Sequence, residues 1–294
     1  MNKAVDLTVG VIISRDVQGY KCIEAILKSS LLPSTLSIIF IGSEKKYKKI
    51  NEHISNFFLG KKIIEYVNEG RPAVLRNIII KNSLTDDILL IDDDMYIDSK
   101  AIENFVVAKK RFKKNSYGLI LGCAVIENGM LRHLGANFSK IWRDNVEFVR
   151  LERIFFNRFQ IFKHDAERVD LITQPPFFIS GVLNKKINFL FDENFPWAND
   201  IFDWFMEIKK QDIITIILPF LGAEHDPGRY GKIEGWEKKK IEKNKIGHDY
   251  FVKKWKLTPE KFYKFSFLKK ILLEVKTHYS AILRIKYKNF IDQR

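Results

Sequence analysis

The sequence predicts an α/β protein with an open, mainly parallel sheet flanked by helices, and three observations carry that expectation. Short β-branched runs, "LTVGVIIS" at 7–14 and "LSIIFIGS" at 36–43, alternate with segments of helical period. Each strand, helix, strand unit asks for a crossover, and a crossover makes neighbouring strands parallel. A further apolar run, in "DDILLIDDDMYID" at 86–98, stops at three adjacent carboxylates, Asp92, Asp93 and Asp94. Ligands in such sheets bind beyond the carboxyl ends of the strands, where this triplet falls.

The elements follow in order. "LTVGVIIS" has the continuous apolar character of a strand buried on both faces, and "GYKCIEAILKSS" (19–30) carries its apolar residues at helical spacing. "LSIIFIGS" is the second strand, the region from Gly70 to Asn82 is helical, and "DDILLIDDD" brings the next strand to its end at the triplet. "KAIENFVVAKKRF" (100–112) is a helix, with Asp98 or Ser99 as its cap.

A chain of 294 residues with 46% hydrophobic residues supports a full core, so disorder is excluded. Cys22 and Cys123 both lie among apolar neighbours, which fits buried thiols in a reducing compartment and argues against a disulfide framework or metal bound on sulfur. The N-terminus lacks a signal pattern, and the longest apolar stretch, "IITIILPFLGA" (213–223), is too short to span a bilayer and contains Pro219. The expected location is the cytoplasm. The formal charge is +14, and residues 231–294 hold 18 Lys or Arg against 7 Asp or Glu, a surplus of 11. The segment from 231 onward is therefore expected to be a basic, mostly helical extension of the domain at 1–230.

Like charges at the spacing of Asp92 to Asp94 repel, so something must compensate for them. One reading is a solvated turn that caps the following helix. The other is a divalent metal site, because alternate residues of an extended chain present oxygens to one side and Mg²⁺ or Mn²⁺ prefers oxygen ligands shared with phosphate.

Taken together, several motifs resemble the nucleotide-sugar-dependent glycosyltransferases of the GT-A fold, in particular the inverting family 2. "NEGRPAVLRNIII" (68–80) precedes "LLIDDD" as the family's "NxGxxxARNxG" precedes its DxD-type motif. "ENGMLRHLGANF" (127–138) looks like the hairpin between the two halves of that fold, which divides the domain at 1–125 for the nucleotide sugar and 126–230 for the acceptor. "FFISGVLNKKINFLFDENFPWANDIFDWFMEIKKQ" (177–211) is similar to the acceptor half, with Phe191, Asp192 and Glu193 as its FDE element and Asn199 and Asp200 as its acidic pair. His225, in "ILPFLGAEHDP", matches a histidine that completes the metal shell in several members. The resemblance covers roughly residues 7–228 and departs from the family where Ile41 and Gly42 replace a base-contacting Asp.

The resemblance implies a metal-dependent inverting transfer of a hexosyl or related sugar from a nucleotide-diphosphate donor to a hydroxyl of a bacterial surface glycan, such as a lipopolysaccharide or capsule, or of a lipid-linked acceptor. It makes Asp200 the catalytic base, with Asp203 in reserve, and assigns Mn²⁺ or Mg²⁺ to Asp92, Asp94 and His225. Ser14, Arg15, Asp16, Arg76, Asn77, Asp92 and Asp93 fall where the donor binds, and Trp197, Asp203 and Trp204 where the acceptor does. The alternative from charge alone is a non-catalytic basic module for a membrane surface or nucleic acid. No zinc pattern, RNP-like aromatic motif or Arg-rich segment supports nucleic acid.

In "FLKKILLEVKTHYSAILRIKYKNFI" (267–291), Leu268, Ile271, Leu272, Val275, Tyr279, Ile282 and Leu283 form a helical stripe with lysines largely elsewhere. Such a helix either packs on the catalytic domain or lies on anionic lipid, which would make the protein peripheral on the inner face of a bacterial cytoplasmic membrane. If lipid is the partner, the protein will sediment with anionic liposomes and release as salt shortens screening to about 8 Å and below. Equal binding to neutral and anionic vesicles in that assay would remove the electrostatic part of the expectation.

Overall fold

The computed structural model describes residues 3–113, 117–127, 130–131, 135–143, 146–154, 166–196, 199–211, 213–226 and 236–255. The expected α/β architecture is observed. β1 (Lys3–Ile13), α1 (Asp16–Leu27) and β2 (Leu31–Ile41) open the chain, followed by α2 (Lys48–Phe57) and β3 (Lys61–Val67). Next come α3 (Pro72–Lys81), β4 (Asp87–Asp92), the short β5 (Met95–Ile97) and α4 (Ala101–Phe112). The second half contributes β6 (Gly118–Glu127), β7 (Met130–Leu131), β8 (Gly135–Arg143), β9 (Val146–Ile154), β10 (Glu167–Arg168), β11 (Leu171–Ile172) and β12 (Phe177–Ser180). α5 (Asp200–Ile208), β13 (Ile213–His225) and α6 (Trp236–Lys254) complete it.

The main sheet runs in the order β10-β13-β6-β12-β4-β1-β2-β3, with β5 added to β13 and β7 to β6. β4, β1, β2 and β3 pair in parallel, as do β6 and β13, whereas β12 is antiparallel to both of its neighbours. Two reversals across β12 leave β4 and β6 pointing the same way. The carboxyl ends of β1, β2, β4, β6 and β13 therefore share one edge, and the residues just beyond them can meet. A separate three-stranded sheet, β11-β8-β9, follows the β6–β7 hairpin, which pairs Glu127 with Met130.

Central position explains the apolar runs. β4 is buried at every position but its last, and Val9, Val11 and Ile13 of β1 are wholly buried, as strands covered on both faces require. α3 packs on β1 and β2 because Gly10 has no side chain: a Cβ there would lie 2.3 Å from Ile79. That close approach fixes α3, whose turn before Ile79 carries Arg76 and Asn77. Gly181, with φ +100° directly after β12, turns the chain where a Cβ would strike the carbonyl oxygen of Tyr117 at 2.6 Å. Neither Asp98 nor Ser99 is the cap of α4: the helix begins at Ala101 with Lys100 at the cap position and no side-chain cap bond, and Asp98 Oδ1 accepts the Lys100 N–H at 2.8 Å in the turn just before it. Cys22 and Cys123 are free and buried, and burial raises both thiols above their ordinary pKa.

The extension docks on the domain through its first helix. The Lys254 ammonium lies 2.8 Å from Asp203 and donates to Asp192 at 2.9 Å, and the Trp255 indole N–H donates to Asp203 at 2.8 Å. Tyr250 packs edge-on against Phe195, with ring centres 4.7 Å apart, and Lys210 sits 4.2 Å over the Trp255 ring. The amphipathic stripe at 267–291 lies outside the described residues, as does Trp197. Among the described residues no helix is long and apolar enough to cross a membrane.

Asp203 has no exposed surface, so its carboxylate depends on this grip. Lys254→Met should cost about 2 kcal/mol in urea unfolding, less than the 3–5 of a fully buried pair because Lys254 keeps contact with water. Adding Asp203→Asn to it should return most of that loss. A double mutant no more stable than Lys254→Met would show that the charge pair does not hold the extension.

Candidate active site

The site is assembled at the shared carboxyl edge. Asp92 ends β4, and Asp93 and Asp94 follow before β5 turns back along β13. In that antiparallel pairing Met95 lies opposite His225, and the Asp226 N–H donates to the Asp94 carbonyl at 2.8 Å. Asp94 and His225 are consequently neighbours, with His225 Nε2 3.5 Å from Asp94 Oδ2. On its other side β13 runs parallel to β6 and matches His225 with Glu127, so the Glu127 carboxylate bonds His225 Nδ1. Burial lowers the His225 pKa, but Asp94 and Glu127 raise it by more and the net shift is upward. Glu127 was not foreseen from sequence.

Two arginines answer the question of what balances the triplet. Arg15, just past β1, directs Nε to Asp93 Oδ1 at 3.1 Å and places Nη2 on Asp93 and also 2.8 Å from Asp94 Oδ2. Asp93 accepts in addition the Ser14 N–H at 2.8 Å, the Ser14 hydroxyl at 3.0 Å and the Arg15 N–H at 3.0 Å. It is thus the anchor of the β1–α1 turn, only 4% exposed. Asp16 starts α1 as an exposed first-turn acid, where its charge complements the helix dipole. For Asp94, burial pushes the carboxyl up while His225 and Arg15 pull it down further, leaving it below its ordinary pKa.

Arg76 on α3 spans the other gap. Its Nη1 donates to Asp200 Oδ2 at 2.6 Å and its Nη2 to Asp92 Oδ1 at 3.3 Å, while the guanidinium lies 5.5 Å from the centre of the Phe191 ring. Arg76 and Asp200 are each 6% exposed. Asp200 opens α5 after Asn199, which takes a left-handed φ of 67° and aims the first turn at Arg76. Burial raises the Asp200 carboxyl above its ordinary pKa against the opposing pull of Arg76 and the backbone N–H groups of the helix start. Asp92 is likewise raised, by burial first and by Asp94 and Asp93, again against Arg76.

Other expected site residues have structural work. Asn77 is buried, and its amide exchanges hydrogen bonds with the backbone of Phe191, at 2.8 and 2.9 Å, which clips the FDE segment to α3. Trp204 is 1% exposed, stacks on Phe191 with centres 4.5 Å apart and donates to the Phe189 carbonyl at 2.7 Å. No sugar can stack on it. Asp203 faces Lys254 and Trp255, so of the three residues expected at the acceptor Trp204 is a packing group and Asp203 a docking group, and Trp197 lies outside the described residues.

A divalent metal finds a suitable but partial set of ligands. Asp94 and His225 are adjacent, and a carboxylate on the far nitrogen is the usual way a protein orients a ligating imidazole. Asp92 turns to Arg76, and among the described residues no group of three or more His, Cys, Asp or Glu side chains is placed to hold a metal. Asp94 and His225 would supply one oxygen and one nitrogen to an ion, which suits a cation that completes its shell with oxygen ligands from outside the protein. Formal charge agrees: with His225 neutral, as a ligating imidazole must be, Asp92, Asp93, Asp94, Glu127 and Asp200 outnumber Arg15 and Arg76 by three.

No protein-family model and no curated protein matches the chain. Solved structures do. S. aureus TarS 1–349 is 12% identical at a TM-score of 0.55, with 90% of this chain and 75% of that chain covered. The same fragment in complex with UDP-GlcNAc is 14% identical at 0.54, covering 90% and 78%. GalNAc-T7 with UDP, GalNAc and Mn²⁺ is 13% identical at 0.56, covering 75% and 44%. These neighbours are GT-A fold glycosyltransferases, and the α/β architecture described above is theirs.

Arg76 is the cation on which two buried carboxylates depend. A carboxyl whose folded pKa lies above its unfolded value adds most stability at low pH, and that contribution is lost as pH rises through the raised pKa. Arg76→Met removes the opposing cation and raises Asp92 and Asp200 further. It should cost about 3 kcal/mol near neutral pH and visibly less near pH 5, as these carboxyls take up protons. Unfolding curves with the same deficit at both pH values would show that the carboxylates do not need Arg76.

Proposed function

We propose that the protein is an inverting glycosyltransferase that moves a sugar from a nucleoside-diphosphate donor to an acceptor hydroxyl with the help of a divalent metal. The observation that carries this reading is the Arg76 bridge, which ties the end of β4 to the first residue of α5 and so joins a diphosphate-type site to a helix-borne carboxylate. TarS bound to UDP-GlcNAc and GalNAc-T7 bound to UDP make uridine diphosphate sugars the first donors to test.

In this reading Asp94 and His225 would hold the metal, with Glu127 fixing the imidazole. A bound Mn²⁺ or Mg²⁺ acts as a Lewis acid on the leaving diphosphate. The turn at Ser14 and Arg15, pinned by Asp93, forms the floor beside the nucleotide, and Asp92 faces the donor while tied to Arg76. Gly42, rather than a carboxylate, follows β2, so base recognition relies on other groups. Asp200 takes the acceptor proton from the face opposite the leaving group; its raised pKa brings it nearer to the working range of a general base. Arg76 aims it. The acceptor is a bacterial surface glycan or a lipid-linked one, and the basic segment beyond α6 serves an anionic membrane surface.

Release of free nucleotide from UDP-sugars with Mn²⁺ or Mg²⁺ tests the donor half without an acceptor. Asp94→Ala should abolish the metal-dependent release while the thermal unfolding midpoint stays near wild type. With acceptor present, Asp200→Asn should lower kcat by roughly 10²- to 10⁴-fold, the scale of a lost general base, with donor affinity changed little. Asp203→Asn should instead shift stability through its contact with α6. A kcat loss confined to Asp203→Asn would move the base away from Asp200.

A further inference from the structure

Asp94 Oδ2 has two claimants. Arg15 Nη2 lies 2.8 Å from it and His225 Nε2 3.5 Å from it, on the carboxylate that the proposed metal also needs. Arg15 is held independently of Asp94, because its Nε and Nη2 both grip Asp93 and its own backbone N–H donates there too. The contacts to Asp93 keep the guanidinium in place when the arm to Asp94 lets go.

We infer that Arg15 is a resident counter-cation that occupies the metal's carboxylate until donor arrives, so that a divalent ion binds with the nucleoside diphosphate and poorly without it. This rests on the donor-site reading above. An ion approaching Asp94 alone must displace a charge-assisted hydrogen bond and sit beside a like charge in a part-buried site, and both effects oppose it. A diphosphate removes the opposition, since its oxygens give the released Arg15 N–H a new anionic acceptor. Linkage then requires nucleotide to tighten the metal by the same factor that metal tightens the nucleotide. Asp93 keeps three donors, from Ser14 and the backbone of residue 15, when the Arg15 side chain is removed, so the turn retains its anchor.

The test is Mn²⁺ binding followed by the electron paramagnetic resonance signal of the free ion, with and without UDP, for wild type, Arg15→Gln and Arg15→Lys. Arg15→Gln should bind Mn²⁺ alone about tenfold or more tightly than wild type, the scale of one charge-assisted contact, and its gain from UDP should shrink by a similar factor. Arg15→Lys, which keeps the charge, should stay within about threefold of wild type. Equal Mn²⁺ affinity in Arg15→Gln and wild type, or no binding of Mn²⁺ alone by either, overturns the inference. Should Arg15→Gln not fold, a wild-type affinity for Mn²⁺ that UDP leaves unchanged overturns it as well. The arm without nucleotide is separate from the donor reading: failure of every nucleoside diphosphate to bind defeats that reading, and the Mn²⁺ comparison still decides the role of Arg15.

Discussion

Three carboxylates in a row at the end of a buried strand are tolerable here because two guanidinium groups, brought from different elements, lie against them. Arg15 takes Asp93 and Asp94, and Arg76 takes Asp92 together with Asp200. An unpaired charge at such depth would cost several kcal/mol, so the positions of β1, α3 and α5 relative to β4 are all constrained by this pairing. The close contact of α3 with Gly10 and the left-handed turn at Asn199 are the backbone features that bring Arg76 and Asp200 together.

The second constraint is the strand order. β12 reverses between β4 and β6, and this restores a common direction, so His225 and Glu127 finish beside Asp94 although they come from the other half of the sheet. α6 packs against the first turn of α5: Lys254 and Trp255 hold Asp203, one turn beyond Asp200. The basic extension is thereby coupled to the helix that carries the candidate base, and a purely separate binding module no longer describes its first helix.

Much of the architecture was legible in the chain because the buried strands are apolar on both faces and the helix between them has a clear period. β1, α1, β2, α3 and β4 fall where the sequence placed them, with ends shifted by a few residues. α2 and β3 were missed: α2 buries only Ile50 and Ile54, and β3 is an edge strand whose alternation is masked by Lys61 and Lys62. For the site, residue types and strand-end positions could be read, but pairings could not, since Arg15 and Asp93 are 78 residues apart and Arg76 and Asp200 are 124 apart. Asn77 carries the family pattern and Trp204 was an acceptor candidate, and yet both are buried clips, a distinction that only packing makes. Glu127 had a signal, an acid at the end of a predicted hairpin strand, whose meaning depended on the β6–β13 register.

The central claim is that the shared carboxyl edge is a nucleoside-diphosphate site completed by a divalent metal. Calorimetric titration of the wild-type protein with a panel of nucleoside diphosphates, each with and without Mn²⁺, addresses it most directly. At least one nucleotide should bind at one site per chain with an affinity that rises on adding the metal. If none binds under either condition, or binding persists unchanged when Asp94 is replaced by Ala, the carboxylate cluster is a structural charge network and the account of the site is contradicted.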